Sequence, residues 1–531
     1  MENNIVEIVS GKIRGSFVNS IYAFKGIQYG RATGNRNRFH QPVKPEPWTG
    51  IRDALAYGAR SPQRAGIMDR LAASGGKTVK EMQNEDCLVL NVWTPVVKNG
   101  RKRPVMFWCH GGGFTMGSGS ASIYDGTNLA RRGDVVVVTV NHRLGPFGYL
   151  YLGDIAGEEF AMSSNAGMQD IVMALEWVRD NITSFGGDPN NVTLFGESGG
   201  GYKVSVLMAM PAATGLFHRA IVESEPGWRM MPKEIANEQA NKLLKELGVS
   251  IANLGKLYSL SVEQILDAGR KINRNIPFGW WPVVDGKVLP WHPFDPVAPD
   301  ISSNIPLIIG TNKDEATLFL SAEYRRSRLS DGPAAKIARN IWFHMATPKI
   351  ACRIAGKSAK SFLATYQEGR PQSSDSELFS AMMTDWMMRI PSIIQAERKY
   401  AQHSAPVFMY LFSWETPILN GRLKATHGLE IPFVFDNIGS GLLTGTGQTQ
   451  SDLSRNMSET WISFARSGVP NYASIPNWPP YTPGERATMI FDQQCRVEKD
   501  PFKSERIAWN GIEPLDLAKA GDTRNRKGRL V

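Results

Sequence analysis

The apolar run Val192-Thr-Leu-Phe195 leads into Gly196-Glu197-Ser198-Gly199-Gly200, a serine held between small residues at the end of a predicted strand. A strand entering G-x-S-x-G must turn sharply into a helix, and bulky neighbours would collide there, so the serine hydroxyl is left projecting. Tyr202 to Met210 is compatible with the helix that should follow. A glycine-rich connection without chemistry would look the same over five residues. A second segment adds to the first: Val105 to Trp108 reads as a strand, and Cys109-His110-Gly111-Gly112-Gly113-Phe114 follows it. Acyl transfer places negative charge on a carbonyl oxygen, and glycine-loop N–H groups can approach that oxygen without side-chain obstruction. Gly112 and Gly113, joined by the amide of Gly199, would give three donors, and losing one such donor typically costs ~10²–10³ in rate. A phosphate cradle is the competing chemistry, but neither G-x-G-x-x-G nor G-x-x-x-x-G-K-[ST] occurs here.

A serine hydroxyl is a weak nucleophile at neutral pH and needs a histidine base oriented by an acid. The elbow motif goes with the chain order nucleophile, acid, base. His218, His292, His344, His403 and His427 follow Ser198. His403 precedes a predicted strand, whereas His427 lies in Lys424-Ala-Thr-His-Gly428, a loop-like stretch. A lone histidine is more often structural, so this placement alone does not select it. For the acid, Pro306 to Gly310 reads as a buried strand, and Asp314 and Glu315 both follow its C-terminal end, where catalytic groups of open α/β sheets gather. Their positions leave the two open.

These residues require a scaffold of alternating strands and helices. Short β-branched or apolar runs recur at Val105–Trp108, Val135–Val140, Val192–Phe195, Ala220–Val222, Pro306–Gly310 and Val407–Phe412. Between the second and third, Met168, Ile171, Ala174, Leu175 and Val178 repeat at helical spacing over Ala166–Asn181. The expectation is an α/β chain with a mostly parallel central sheet flanked by helices. Residues 1–516 read as one catalytic domain, with helix-rich insertions at about 232–289 and 321–401 that could cap the sheet. Trp280, Trp281, Trp342, Phe343, Met387 and Met388 lie in those insertions, and the plainer reading of each is core packing.

Composition excludes more than it assigns. With 42% hydrophobic and 21% charged residues, the 531-residue chain can bury a substantial core. Its formal net charge is +10, but the basic residues are dispersed and no nucleic-acid recognition motif accompanies them, so no nucleic-acid partner is expected. Lys519, Arg524, Arg526, Lys527 and Arg529 make 517–531 a basic, solvated tail. No run approaches the ~18 apolar residues of a membrane-spanning helix, and the N-terminus lacks the pattern of a secretory signal. Four cysteines, Cys87, Cys109, Cys352 and Cys495, are too sparse for a disulfide framework and too scattered for a zinc motif. A cytoplasmic setting is expected, with no metal or cofactor and a monomer or homodimer as the assembly.

Taken together, these segments resemble the type-B carboxylesterases, a family that includes bacterial carboxylesterases of the p-nitrobenzyl-esterase kind, cholinesterases and non-catalytic neuroligin-like proteins. The resemblance covers nearly the whole chain. It runs through Tyr22-Ala-Phe-Lys-Gly-Ile-Gln-Tyr29, Pro47-Trp-Thr-Gly-Ile-Arg-Asp53, Glu85-Asp-Cys-Leu-Val-Leu-Asn91, Asn141-His-Arg-Leu-Gly-Pro146 and Phe185-Gly-Gly-Asp-Pro189 to Trp461-Ile-Ser-Phe-Ala-Arg466 and Trp478-Pro-Pro-Tyr481. It implies the α/β-hydrolase fold and hydrolysis of a small-molecule carboxylic ester. Carried over position by position, it makes Ser198 the nucleophile, Glu315 the acid, His427 the base, and Gly112, Gly113 and Gly199 the oxyanion donors. Glu197, Ser224 and Glu430 would support them, and Phe114, Glu225, Trp228 and Phe319 would line the pocket. A binding module on the same fold is the reading from another class, with amidase, carbamate hydrolase or lipase activity as variants within enzymes.

The departures from the family narrow the expectation. Ser61 stands where many relatives carry the cysteine that pairs with the one at Cys87, so that loop disulfide cannot form. No Phe, Tyr or Trp lies between Ser61 and Cys87, where cholinesterases resemble one another in carrying a tryptophan for cation–π binding, so a choline-ester specialist is not expected. Gln28 replaces a usual proline, Gly199 a frequent alanine, His142 a frequent tyrosine and Glu225 a glycine.

Overall fold

The structure is a computed structural model that describes residues 4–64, 81–97, 100–274, 279–320 and 333–516, with the side chains of 333–337 and 339 outside that description. The basic tail at 517–531 and part of the loop between Ser61 and Cys87 therefore lie outside the described residues. Among the described residues the main sheet has eleven strands: β1 (Ser16–Val18), β2 (Ile21–Gln28), β3 (Val89–Thr94), β4 (Arg103–Cys109), β5 (Val136–Val140), β6 (Gly187–Glu197), β7 (Arg219–Glu223), β8 (Leu307–Asn312), β9 (Val407–Phe412), β10 (Ala487–Phe491) and β11 (Arg496–Lys499). Their spatial order is β11-β10-β9-β8-β7-β6-β4-β5-β3-β2-β1. The seven strands from β10 to β5 are parallel, and the antiparallel strands β11, β3, β2 and β1 lie outside them.

Parallel strands need crossovers that return over a face of the sheet, so both faces are covered and the strands read as continuous apolar runs. Alternate residues then enter two different cores. Val105, Phe107, Val192, Leu194, Val222 and Ile309 face one side with the crossover helix α1 (Ala166–Asn181). Met106, Trp108, Phe195, Ile221 and Ile308 face the other, against Trp461 and Phe464 of the helix Gln448–Ser467. Helix α1 has the bounds read from its periodicity, and its apolar stripe is buried.

Helices occupy the described parts of both stretches expected to cap the sheet. The first holds Lys233–Leu247 and Val262–Ile272, and its two ends are joined by parallel pairing of Met231–Pro232 with Val283–Val284. The second contains Pro333–Ala355, Ala359–Gly369, Asp375–Thr384 and Ile390–Tyr400, which form a third core with Trp509. Trp280, Trp281, Phe343 and Met388 are buried as packing residues, whereas Trp342 is 37% exposed. Among the described residues no helix is long and apolar enough to cross a membrane.

Candidate active site

All four chemistry-bearing segments leave the same edge of the parallel sheet. The elbow follows β6, and the glycine loop follows its neighbour β4, with Cys109 opposite Gly196. Glu315 comes three residues after β8, and His427 lies in the long connection after β9. A parallel sheet points the C-terminal ends of its strands in one direction, so residues far apart in sequence meet there.

Ser198 has φ 57° and ψ −127°, an unfavourable conformation for a residue with a Cβ, and it caps helix α2 (Gly199–Leu207). The turn is held by the Ser198 N–H donating to the Glu223 carbonyl at 2.9 Å and the Tyr202 N–H donating to the Ser198 carbonyl at 3.1 Å. The glycines around it are obligatory for packing: a Cβ on Gly200 would lie 2.0 Å from the Cys109 carbonyl oxygen. The helix begins at Gly199 rather than Tyr202, because the elbow itself supplies the first turn.

His427 is buried, and its Nδ1 pairs with Glu315 Oε2 at 2.7 Å. The other Glu315 oxygen accepts the Asn312 backbone N–H at 2.7 Å. Asp314, the alternative acid, instead accepts the Ala425 backbone N–H at 3.3 Å. His427 Nε2 lies 3.2 Å from Glu197 Oε1. The Ser198 hydroxyl donates to Glu225 Oε2 at 3.3 Å, and no hydrogen bond joins Ser198 to His427. Ser224 donates to Glu430 at 3.1 Å, and Asn312 Nδ2 donates to the other oxygen of Glu430. Gly112 and Gly113 adopt φ of 90° and 60°, and no hydrogen bond among the described residues engages their N–H groups or that of Gly199. Of the expected pocket residues, Glu225 and Phe319 reach the cluster, the Phe319 ring lying tilted by 45° against His427 with centroids 5.0 Å apart. Phe114 is enclosed by Tyr149, Tyr202 and Trp281, and Trp228 lies under the guanidinium groups of Arg229 and Arg398.

A serine on an elbow, an imidazole paired with a carboxylate and a glycine loop whose N–H groups take no partner among the described residues together suit acyl transfer. The wider comparison agrees: the description "Carboxylesterase family" matches residues 2–509. The chain belongs to the carboxylesterase family. Among curated relatives it is 37% identical to the para-nitrobenzyl esterase of Bacillus subtilis, covering 95% of this chain and 98% of that one. It is 30% identical to the phenmedipham hydrolase of Pseudarthrobacter oxydans over the same shares. Among solved structures, a Geobacillus stearothermophilus carboxylesterase superposes with a TM-score of 0.82 at 36% identity, covering 95% of this chain and all of that one. This carboxylesterase is thus a serine hydrolase acting on carboxylic esters, on an α/β-hydrolase fold.

The electrostatics of its site are set by crowding. Glu197, Glu223, Glu225, Glu315 and Glu430 are all buried. Burial pushes Glu197 and Glu223 well above the usual carboxylate range, and like-charged neighbours push further. Glu225 and Glu430 are raised to about 7, again mainly by burial. Burial opposes charge on His427, but Glu197 and Glu315 outweigh it and hold the ring up at about 10. Burial and mutual repulsion therefore bias Glu197, Glu223, Glu225 and Glu430 toward their neutral forms.

Three residues of the site have no counterpart in the sequence reading. Asn312 ties Glu315 to Glu430, and Glu223 accepts from the Trp461 indole at 2.9 Å. Lys203 is wholly buried on α2, and burial brings its pKa down to about 7. Only Lys203 had a visible signal, a lone charge in the otherwise uncharged helix Gly199–Leu207.

Proposed function

We propose that Ser198 attacks the ester carbonyl while His427 takes its proton, with Glu315 orienting the ring and stabilising the imidazolium that forms. The tetrahedral oxyanion is received by the N–H groups of Gly112, Gly113 and Gly199. Collapse expels the alcohol, protonated by His427, and leaves an acyl-enzyme. Water then repeats the sequence and frees the acid. The carrying observation is the 2.7 Å contact between His427 Nδ1 and Glu315 Oε2, which leaves Nε2 on the side of Glu197, the neighbour of Ser198 in the elbow, at 3.2 Å. Glu197 lies against the Nε2 side of the ring at 3.2 Å, while Ser224 and Asn312 donate to Glu430, and Asn312 also holds Glu315. Attack requires Ser198 to leave Glu225 and turn to His427, so Glu225 restrains the resting nucleophile and shapes the space beside it.

Small aryl and benzyl esters are the proposed substrate class, consistent with the relative named para-nitrobenzyl esterase. One panel tests both levels: p-nitrophenyl esters of graded acyl length with p-nitrobenzyl acetate, run on the wild type, Ser198→Ala and Glu225→Gly. Ser198→Ala should lose activity by at least about 10³-fold, and equal turnover in both would defeat the nucleophile assignment. Glu225→Gly should shift kcat or acyl preference by about two- to tenfold, the worth of one modest hydrogen bond. An unchanged rate and preference would remove Glu225 from the pocket.

A further inference from the structure

Lys203 Nζ donates to two backbone carbonyls at 2.8 Å each, those of His110 and Gly113. These belong to the peptide planes His110–Gly111 and Gly113–Phe114, which flank the two planes that carry the N–H groups of Gly112 and Gly113. Peptide units are rigid, so fixing the outer planes restricts the inner ones. The ammonium also lies 5.4 Å from the Phe114 ring centroid, at the end of the same loop. Burying a lysine against two neutral acceptors is costly, and an apolar side chain would fill a helix–loop contact more cheaply.

The position of Lys203 on its helix gives the contact its meaning. It lies four residues after Gly199, one turn along α2 and on the same face. The third oxyanion donor and the anchor of the other two therefore sit on one rigid element. The loop is also drawn to backbone contact with that element. A Cβ on Gly199 would lie 2.3 Å from both the nitrogen and the oxygen of Gly113.

We propose that Lys203 is a positioning residue that clamps the glycine loop to the elbow helix and so sets the spacing of the three oxyanion donors. The inference rests on the acyl-transfer reading above. The clamp touches neither substrate nor reacting atoms; it acts through Gly112 and Gly113. Its loss should weaken binding of the tetrahedral species and leave binding of the planar ester nearly unaltered.

The test compares Lys203→Met, Gly199→Ala and the double variant with the wild type, using a p-nitrophenyl ester and an alkyl trifluoromethyl ketone, which forms a tetrahedral adduct with the serine. Lys203→Met is expected to lower kcat by about 10- to 100-fold, with KM within about threefold and the ketone Ki raised in parallel with the loss of kcat. Gly199→Ala should show the same pattern, because the clamped loop leaves no room for a methyl group. The double variant should fall short of the product of the two single effects, because a released loop can retreat from the methyl. A folded Lys203→Met with wild-type kcat and Ki overturns the clamp, as does a loss of kcat without a matching rise in Ki. If Lys203→Met does not fold, Gly199→Ala decides alone, and wild-type behaviour there overturns the proposal. Failure of the wild type to turn over esters through Ser198 would instead defeat the reading of the reaction.

Discussion

The proposed chemistry turns on His427, and its surroundings favour the wrong protonation state for a base at rest. Burial opposes the imidazolium, but Glu197, Glu315 and then Glu225 raise its pKa to about 10. A base must be neutral to accept the Ser198 proton, so kcat/KM should climb with pH well beyond neutrality. Glu197 contributes most to that rise, and replacing it with a neutral isostere should let the ring lose its proton earlier. The expected result for Glu197→Gln is a pH–rate limb displaced to lower pH by at least about one unit, read from kcat/KM between pH 5 and 10. An unmoved limb would place the controlling proton elsewhere in the carboxyl cluster. Sequence position alone could not have separated Glu315 from Asp314. Adjacent residues after a strand differ only in the direction they face, and here one meets the His427 ring while the other meets the Ala425 amide.

At the level of elements, the strands read from β-branched runs all occur in the sheet, because a parallel strand covered on both faces must be apolar throughout. Strand β3 escaped that reading although all six of its residues are buried. Asn91 interrupts the apolar run, but its side chain is paired, donating to Thr139 at 2.9 Å and accepting the Gly26 N–H at 2.9 Å. Polar groups satisfied by partners distant in sequence give no local pattern, and the same holds for Glu223 with Trp461. The contact between Arg143 and Asp170 belongs here too. Arg143, in the loop after β5, forks onto Asp170 of α1 at 2.8 and 2.6 Å with both side chains buried. Asp170→Asn would keep the shape and strand a buried guanidinium, so a loss of about 3–5 kcal/mol in urea unfolding is expected. A loss below ~1 kcal/mol would mean that solvent reaches the pair.

On the scale of the whole molecule, three cores among the described residues share the burden of stability: one on each face of the sheet and one among the helices from Pro333 to Tyr400. None of them contains a covalent crosslink among the described residues. Ser61 accepts the Leu144 N–H at 3.1 Å, and Cys87 remains a free buried thiol held up at about 12 by burial. Cys109 is equally enclosed, Cys495 is partly covered, and Cys352 alone is exposed. The fold is therefore indifferent to oxidant, and thermal midpoints with and without dithiothreitol should coincide; a lower midpoint under reductant would reveal a bond that these thiols do not make. A maleimide dye should react first at Cys352, on the helix Pro333–Ala355, because it alone of the four thiols is open to solvent. One exposed thiol among four thus gives this carboxylesterase a single natural attachment point, through which a fluorophore can report movements of the helix Pro333–Ala355 while ester turnover proceeds.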